Sequence, residues 1–384
     1  MEKYDVIIVG GGASGLMCAI TTKAKKVLLL DASDRLGKKI LVTGNGKCNI
    51  TNDSIATNYY NDDKVSEYFA KFNNLQTIKL FENIGLFTYS DEEGRRYPVS
   101  NSANSVLDII LAKLRDKDNV QVMTSCNIQS INKSKGVFQL KTDKGELLAD
   151  KVVLATGGNS ATKYLENLGM KYVGFTPSLM GLKTTKNKGL AGVRVSNVKV
   201  SFKGFEEVGE VLFKEDGVSG IVIFNLSASL ARNGIRQGRI FLDFLPNMPL
   251  NTLKSALKTS IASNSNYSPI EILEGLLHKS LAKNILDTLG IKNLKDFDVN
   301  KVANLIKQYP VNFVGYSDNN QVYSGGVDLK DLDNNLQSKE VANLYVIGEL
   351  VNVDGVCGGY NLQWAWTSGH IVGEALRNCT KELN

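Results

Sequence analysis

The chain has 384 residues, 43% of them hydrophobic, which is enough apolar material to bury a large core without disulfides or bound metals. Its 45 Lys and Arg outnumber its 39 Asp and Glu, and the resulting charge of +6 is compatible with an anionic partner without requiring one. The five cysteines form no C-x-x-C pair and the two histidines lie far apart in sequence. This excludes the usual zinc and iron–sulfur motifs and the adjacent-dithiol reductases.

These features predict an ordinary globular protein with reduced thiols and no metal site, and we expect it to be cytoplasmic. The first strand begins near Lys3 without a basic-then-apolar leader, and no apolar run approaches the roughly 20 residues that cross a bilayer. We therefore expect no membrane partner. The sequence leaves the oligomeric state open.

The first 31 residues predict a strand, a turn, a helix and a second strand. Residues 3–9 are nearly all apolar after Asp5, as in a strand buried on both faces of a parallel sheet. A short helix is predicted from about Ser14 to Ala24, and the next apolar run, Val27 to Leu30, ends at Asp31. This order is typical of a doubly wound α/β sheet.

Two helices and a group of strands are predicted next. Helical spacing covers Lys64–Gly85 and Ala103–Lys117. Val120–Leu148 contains short strands broken by turn residues, which predicts a β-meander. Lys151–Gly158 is predicted to be another buried strand that stops on small residues.

Between residues 182 and 316 the composition no longer fits a doubly wound sheet. Strand-like pieces are followed by helical pieces from about Leu250 to Gln308, which predicts an inserted α+β domain. The chain then returns through a strand near Asn343–Glu349 and a helix from about Asn361 to Arg377. The predicted fold class is therefore α/β, a two-part Rossmann-like domain with a β-meander, residues 1–181 and 317–384, interrupted by an insert, residues 182–316.

The turn after the first strand carries the glycine pattern of a dinucleotide-phosphate cradle. Gly10 allows a tight turn, Gly12 lets the backbone approach a pyrophosphate, and Gly15 lets the helix pack closely on the strand. The helix N-terminus favours the phosphate charge, and Asp31, 21 residues after Gly10, is placed to bind ribose hydroxyls. A ligand-free glycine turn is the weaker alternative. The predicted contacts are Gly10, Gly12, Ala13, Ser14, Gly15 and Asp31.

Two later stretches combine glycine with small polar side chains. The loop at Leu41–Asn49 suits backbone approach to a cofactor, although a plain surface loop has a similar composition. Ala155–Gly158 ends a strand where a bulky side chain would clash with a bound dinucleotide. The predicted cofactor contacts are Lys39, Thr43, Gly44, Asn45, Gly46, Cys48 and Asn49 around the loop, and Ala155, Thr156, Gly157 and Gly158 at the strand end.

The stretch from Gly348 to Gln363 is the most specific, because it adds a flavin half to the nucleotide half. Glu349 ends a strand and is placed to meet ribityl hydroxyls, and Gly359 precedes a helix. The N-terminus of that helix would face the flavin edge that becomes anionic on reduction. We therefore predict non-covalent FAD, with contacts from Gly348, Glu349, Asp354, Gly359, Tyr360, Asn361 and Leu362.

These motifs, together with Gly94–Pro98, resemble the YhiN-like (BaiN-like) family of bacterial NAD(P)/FAD-dependent oxidoreductases. The resemblance spans essentially the whole chain. It implies a two-part FAD domain interrupted by an insert of strands and helices. It also implies one of three activities, because members range over amine oxidation, reduction of steroid-like enones and reduction of uridine in ribosomal RNA.

Two of these activities share one chemistry, in which hydride adds to the β-carbon of a double bond conjugated to a carbonyl and a general acid protonates the α-carbon. We favour this class, with NAD(P)H as the electron donor and either ribosomal RNA or a small enone as the substrate. The sequence has no second strand–glycine–helix unit for NAD(P)H. The alternatives are an oxygen-using amine oxidase and a non-enzymatic flavin-binding sensor.

Three residues beside the glycine loops carry exchangeable protons and are candidate catalytic residues, namely Cys48, Cys357 and Tyr360. A small buried thiol is the alternative for each cysteine. Arg95 and Arg96 are candidates for binding an anionic substrate, with plain surface coverage as the alternative.

Overall fold

The computed structural model describes residues 2–185 and 189–376. The chain divides into two units, Met1–Thr176 with Val322–Asn384, and Pro177–Gln321. The insert was predicted over residues 182–316, so each end of the second unit lies five residues outside the predicted end (182 − 177 and 321 − 316).

The first segment of the chain alternates short strands and helices. Its strands are β1 (Glu2–Val9), β2 (Val27–Leu30), β3 (Thr51–Asn52), β4 (Thr88–Ser90), β5 (Arg95–Pro98), β6 (Val120–Met123), β7 (Ile128–Ser134), β8 (Val137–Thr142), β9 (Gly145–Leu154) and β10 (Val173–Ser178). Its helices are α1 (Ala13–Thr21), α2 (Lys38–Val42), α3 (Val65–Phe69), α4 (Asn74–Asn83), α5 (Ala103–Arg115) and α6 (Thr162–Asn167). Short 3-10 turns cover Thr43–Gly46, Thr57–Tyr59 and Gly158–Ala161.

The second segment and the return to the first unit follow. The second unit contains β11 (Leu182–Thr184), β12 (Arg194–Phe202), β13 (Phe205–Lys214), β14 (Gly217–Ser219), α7 (Ile221–Arg232), β15 (Gly238–Asp243), α8 (Leu250–Ser263), α9 (Pro269–Glu274), α10 (Lys279–Leu289), α11 (Val299–Lys307) and β16 (Tyr309–Tyr316). The return contains β17 (Val322–Gly326), β18 (Leu344–Val346) and α12 (Tyr360–Ala375). Further 3-10 turns cover Leu294–Asp296, Leu329–Asp331 and Gly348–Leu350.

A seven-stranded sheet forms the centre of the first unit, with β6, β2, β1 and β9 adjacent in that order. These neighbours pair in parallel, and every residue of β2 is buried, as its apolar sequence predicts. The end of β9 also pairs in parallel with β18, where Val346 lies opposite Leu154. The C-terminal segment therefore completes a sheet begun at the N-terminus, and the predicted α/β class is confirmed.

The β-meander differs in detail from the prediction. The strands β7, β8 and β9 form an antiparallel meander, but β6 pairs in parallel with β2 and is part of the parallel sheet. The separate strand predicted at Lys151–Gly158 corresponds to the buried end of β9, which runs for ten residues and ends at Leu154. Its first half pairs with β8 and its last residues pair with β18.

The second unit contains a closed six-stranded barrel, in the order β11, β14, β13, β12, β15 and β16. The prediction of strands followed by helices missed two features. The helix α7 lies between β14 and β15, and β16 follows the helices α8 to α11 and closes the barrel by pairing with β11. Lys307 of α11 is paired with buried Asp243 at 2.6 Å, which fixes that helix to the end of β15.

The helices α1 and α12 pack together in the first unit through small residues of α12. A Cβ on Gly369 would stand 2.4 Å from the carbonyl oxygen of Ser14, and one on Gly373 would stand 2.0 Å from Oγ1 of Thr21. The four-residue spacing places both glycines on one face of α12. The last helix is therefore held directly on the first.

None of the helices in residues 2–185 and 189–376 has the length and hydropathy of a bilayer-spanning segment.

Candidate active site

The turn between β1 and α1 is shaped by two glycines with no room for a side chain. A Cβ on Gly10 would stand 2.4 Å from the carbonyl oxygen of Ala155, and one on Gly15 would stand 1.9 Å from that of Gly10. Both distances lie far below van der Waals contact, so the strand ends and the start of α1 pack backbone against backbone.

Gly12 differs from these neighbours, because a Cβ there would meet nothing within 4 Å. Gly12 is the N-cap of α1 and offers no side-chain cap to the helix. The first amides of an α-helix have no partner inside the helix. The N-terminus of α1 therefore presents N–H donors next to open space, which suits a pyrophosphate.

Asp31, directly after β2, is tied to the same turn. Its carboxylate accepts hydrogen bonds from the N–H of Gly11 and the N–H of Ser33, both at 2.7 Å. These bonds fix the carboxylate at the carboxyl end of β2. Each carboxylate oxygen keeps a further lone pair, so the ribose contact of Asp31 stays a prediction with the chemistry in place.

The loop after α2 passes through left-handed backbone. The φ angles of Asn45 and Cys48 are 55° and 63°, and the N–H of Cys48 donates to the carbonyl oxygen of Thr43 at 3.0 Å. Asn49 follows, with a buried Oδ1 that has no hydrogen-bond partner in the described chain. An orphaned buried acceptor of this kind is a place for a polar group of a ligand.

Three segments that are distant in sequence meet beside the turn between β1 and α1. A Cβ on Gly348 would stand 2.4 Å from Oγ of Ser14, and one on Gly157 would stand 3.1 Å from the carboxylate of Glu349. Oγ1 of Thr156, next to Gly157, is buried and has no partner within residues 2–185 and 189–376. The start of α1, the end of β9 and the turn after β18 therefore share one edge of the sheet.

The Glu349 carboxylate is engaged by two groups of the chain. It pairs with Nζ of Lys39 at 2.9 Å and accepts the N–H of Tyr323 at 2.6 Å. The Lys39 side chain is 65% exposed, so the pair is easily rearranged. The two predicted contact residues Lys39 and Glu349 therefore lie together, although 310 positions separate them.

The predicted contacts just before and within α12 have mainly intramolecular partners. The side chain of Asn361 donates to the carbonyl oxygen of Gly355 at 2.8 Å and accepts its N–H at 2.9 Å. Asp354 is 4% exposed and accepts a hydrogen bond from Ser324 at 2.9 Å. These two side chains fix the loop that delivers Gly359, the left-handed N-cap of α12. Leu362 is half-buried against the core of the first unit.

Sequence reasoning missed a buried polar network that positions α12. The Gln363 amide accepts from Thr51 at 2.6 Å and donates to Thr77 and Thr367, each at 2.9 Å. Thr367 donates in turn to the carbonyl oxygen of Phe72 at 2.9 Å. Because these groups satisfy one another, the network fixes the start of α12 relative to the segment after the Thr43–Asn49 loop.

The three candidate catalytic residues have different surroundings. Cys48 is fully buried, and burial raises the pKa of its thiol to about 12, so the thiol stays protonated and away from solvent. Tyr360 is 6% exposed, and its pKa is raised by burial and by the neighbouring Tyr59. Cys357 is half-buried. Of the three, only Cys357 has access to solvent beyond a few percent of its surface.

Both candidate arginines form ion pairs with carboxylates of the chain. Arg95 pairs with Asp91 at 2.7 Å and with Glu93 at 2.8 Å, and Arg96 pairs with Asp53. An anionic substrate would compete with these carboxylates for the guanidinium charge. Substrate binding by Arg95 and Arg96 stays a prediction that their ion pairs do not favour.

Within the described ranges, no group of three His, Cys, Asp or Glu side chains is placed to hold a metal ion. The cysteines at 18, 48, 126 and 357 form no disulfide among the described residues, and Cys379 lies outside those residues.

The sequence pattern of the family described as HI0933-like protein Rossmann domain matches residues 4–375. The chain belongs to this family. A relative from Clostridium scindens, a 3-dehydro-bile acid delta(4,6)-reductase, is 33% identical to this HI0933-like chain over 96% of its length and 98% of the relative's own. A ribosomal RNA dihydrouridine synthase from Escherichia coli is 27% identical over 98% of each chain.

The solved structure of 3-ketosteroid-delta4-(5alpha)-dehydrogenase from Rhodococcus jostii shares the fold. It covers 98% of the HI0933-like chain and 97% of its own, with a TM-score of 0.51 and 11% sequence identity.

Family membership confirms the resemblance and the Rossmann-type nucleotide-binding fold. The chain is therefore an oxidoreductase of a flavin-dependent family. The individual cofactor contacts, the electron donor and the substrate stay predictions.

Proposed function

We propose that the chain is an FAD-dependent enzyme that uses NAD(P)H to reduce a carbon–carbon double bond conjugated to a carbonyl. The observation that best supports FAD binding is that Gly348 lies against Ser14 and Gly157 lies against Glu349. In open parallel sheets, ligands bind at the carboxyl ends of the strands. The segments that meet here follow the carboxyl ends of β1, β9 and β18.

The residues at this edge fit an extended dinucleotide. A Cβ at Gly12 would meet no atom within 4 Å, and Asn49 and Thr156 each bury an oxygen that has no hydrogen-bond partner among the described residues. Buried polar groups in native proteins are nearly always satisfied, so the orphaned oxygens of Asn49 and Thr156 favour a polar ligand.

The positions of these residues suggest which part of FAD each would bind. The amides at the start of α1, from Gly12 to Ser14, would hold the pyrophosphate, and Asp31 would bind the adenosine ribose. Glu349 would meet the ribityl hydroxyls, with Lys39 as its counter-charge. FAD supplies a two-electron carrier that takes hydride from a nicotinamide and delivers it to an electrophilic carbon.

The N-terminus of α12 contributes electrostatics to the same site. This helix has 16 residues and begins at a left-handed glycine, Gly359, with no side-chain cap. Its first amides and its dipole therefore favour negative charge nearby. The Gln363 network holds those amides in place before any ligand arrives, which is the preorganisation that makes such groups effective.

The names of two relatives support the reaction class. One is a reductase of a delta(4,6) bile acid and the other makes dihydrouridine. In both substrates the reduced double bond is conjugated to a carbonyl, so hydride goes to the β-carbon and a proton to the α-carbon. The basic charge of +6 is compatible with RNA, and the higher identity belongs to the relative with a small-molecule substrate.

The test uses the full chain purified with its bound flavin. Under anaerobic conditions we expect NADH or NADPH to bleach the flavin absorbance. We expect the reduced protein to be reoxidised either by a steroid 4-en-3-one or by a uridine-containing ribosomal RNA fragment, and mass mapping of the RNA shows whether dihydrouridine forms.

Three outcomes are informative. A flavin that neither nicotinamide bleaches would exclude NAD(P)H as the donor. Reduction of the flavin by an amine, followed by reoxidation by oxygen with release of peroxide, would replace the proposal with an amine oxidase. A protein that purifies without flavin and binds none from added FAD would remove the cofactor assignment.

A further inference from the structure

Tyr97, on β5, lies against the loop that follows α2. Its ring atom Cε1 is 3.3 Å from the position that a Cβ on Gly44 would occupy. Tyr97 is half-buried, and its hydroxyl takes part in none of the hydrogen bonds of the described residues. An aromatic hydroxyl without an internal partner beside a cofactor loop is available to a ligand.

The fold brings Tyr97 towards the start of α12 as well. The strand β5 pairs with β3, and the amide of Asn52 on β3 donates to the carbonyl oxygens of Gly358 at 3.2 Å and Glu93 at 3.4 Å. Asn52 therefore joins the β4–β5 hairpin to the loop before α12. Cys357 in that loop lies close enough to Tyr97 to act on its pKa.

The other proton-bearing side chains in this region are less available. Cys48 is fully buried, and Tyr360 is 6% exposed with Tyr59 as a hydrogen-bond neighbour. Tyr97 and Cys357, by contrast, are each partly exposed, with Tyr97 beside the Thr43–Asn49 loop and Cys357 in the loop before α12.

We propose that Tyr97 is the proton donor of the reduction, an inference that rests on the proposed function. The β-carbon of the substrate gains a hydride that originates from NAD(P)H. The π electrons of the double bond then form the new bond between the α-carbon and the Tyr97 hydroxyl proton. The phenolate left on Tyr97 regains a proton from water, so each turnover consumes one NAD(P)H and one solvent proton.

The charges around Tyr97 support this role. Burial raises the pKa of Tyr97, the positive charge of Arg95 lowers it, and Asp91, Cys357 and Glu93 raise it. The hydroxyl is therefore protonated at neutral pH, as a donor must be. Arg95 stabilises the phenolate that forms, and its ion pairs with Asp91 and Glu93 hold it there, so Arg95 is a positioning residue.

The main test compares Tyr97→Phe with Tyr89→Phe in the FAD-loaded full chain by anaerobic stopped flow. Tyr89 lies opposite Tyr97 in the β4–β5 pair, and its hydroxyl is bound to Asn101, so it provides the same chemical change without the proposed role. For Y97F we expect reduction of the flavin by NAD(P)H to keep its rate within about twofold. We expect reoxidation by the substrate to slow by about 100-fold or more. For Y89F both rates should stay unchanged.

A second readout needs no turnover. The tyrosinate absorbance of the wild type minus that of Y97F isolates one of the 14 tyrosines and gives its pKa directly. Arg95→Gln removes the cation that lowers this pKa, so the titration should move to higher pH. The alkaline limb of the reoxidation rate should move in the same direction, because the donor is lost as pH rises through its pKa.

The outcomes separate this inference from the function beneath it. If wild type is reoxidised by an enone or by RNA and Y97F is equally fast, Tyr97 is not the donor. Loss of reoxidation in Cys357→Ala but not in Y97F assigns the proton to the thiol and overturns the proposal. If R95Q leaves the Tyr97 titration where it was, the positioning role of Arg95 is wrong. A wild type that no conjugated carbonyl reoxidises overturns the proposed function and this inference with it.

Discussion

Two glycine-rich regions flank the proposed cofactor, and Gly15 in one and Gly46 in the other need to be glycine for different reasons. In the turn between β1 and α1, Gly15 has no space, since a Cβ would stand 1.9 Å from a carbonyl oxygen. In the loop after α2, Gly46 has space, since the nearest atom to its Cβ position is 4.0 Å away, but its φ is +82°. Packing sets the requirement at Gly15, and backbone conformation sets it at Gly46.

This difference separates folding from binding. The turn is built into the sheet, so a change at Gly10 or Gly15 disturbs β1, β9 and α1 together. The loop already contains two non-glycine residues, Asn45 and Cys48, with left-handed φ, so its shape is maintained by more than glycine content. Gly12 belongs to the turn in sequence, yet it has the open space that neither Gly10 nor Gly15 has.

The largest expected effect is that of Gly15→Ala. One methyl group cannot enter the 1.9 Å gap, so α1 must move away from β1, and we expect the free energy of unfolding to fall by about 3 kcal/mol or more. Denaturant unfolding of the flavin-free protein measures this. Gly12→Ala in the same turn is the control and should cost no more than about 1 kcal/mol, from its N-cap position. Equal losses for the two variants would show that the turn is not limited by packing at Gly15.

The second effect concerns binding alone. Gly12→Val fills the space beside the first amides of α1, so we expect FAD affinity to fall by about 100-fold, or about 2.7 kcal/mol, while stability changes by about 1 kcal/mol. Flavin fluorescence quenching measures the affinity. Gly174→Val on β10 is the matched control, because a Cβ there also meets nothing within 4 Å. Full FAD occupancy in G12V would mean that the pyrophosphate lies elsewhere.

The same contrast between local and long-range packing explains which parts of the fold could be predicted from the sequence. The strand, turn and helix at the N-terminus were predictable because a strand buried on both faces is apolar throughout and because Gly10 and Gly15 mark a close packing. The helix α7 was not, since Ile221–Arg232 begins with a β-branched run that has strand propensity. The closing strand β16 depends on pairing with β11 across the helices α8 to α11, which local periodicity does not show.

The candidate site divides in a similar way. Glycine-rich segments can be identified from composition, and the structure brings Gly157, Gly348 and Gly12 to one edge of the sheet. Tyr97 could not be found in this way, because its approach to Gly44 depends on the pairing of β5 with β3. The Gln363 network likewise joins positions 51, 77, 363 and 367, whose contacts depend on the tertiary fold.

The smallest expected effect concerns Gly46, in the loop after α2. Gly46→Ala introduces a residue that pays about 1–2 kcal/mol for left-handed backbone, although the site has room for its methyl group. Gly46→Asn should cost less, because asparagine tolerates this conformation. Denaturant unfolding of both variants gives the order, and we expect FAD affinity to change by less than about tenfold in each. If Asn is as costly as Ala, or costlier, then side-chain size sets the requirement at Gly46, as it does at Gly15.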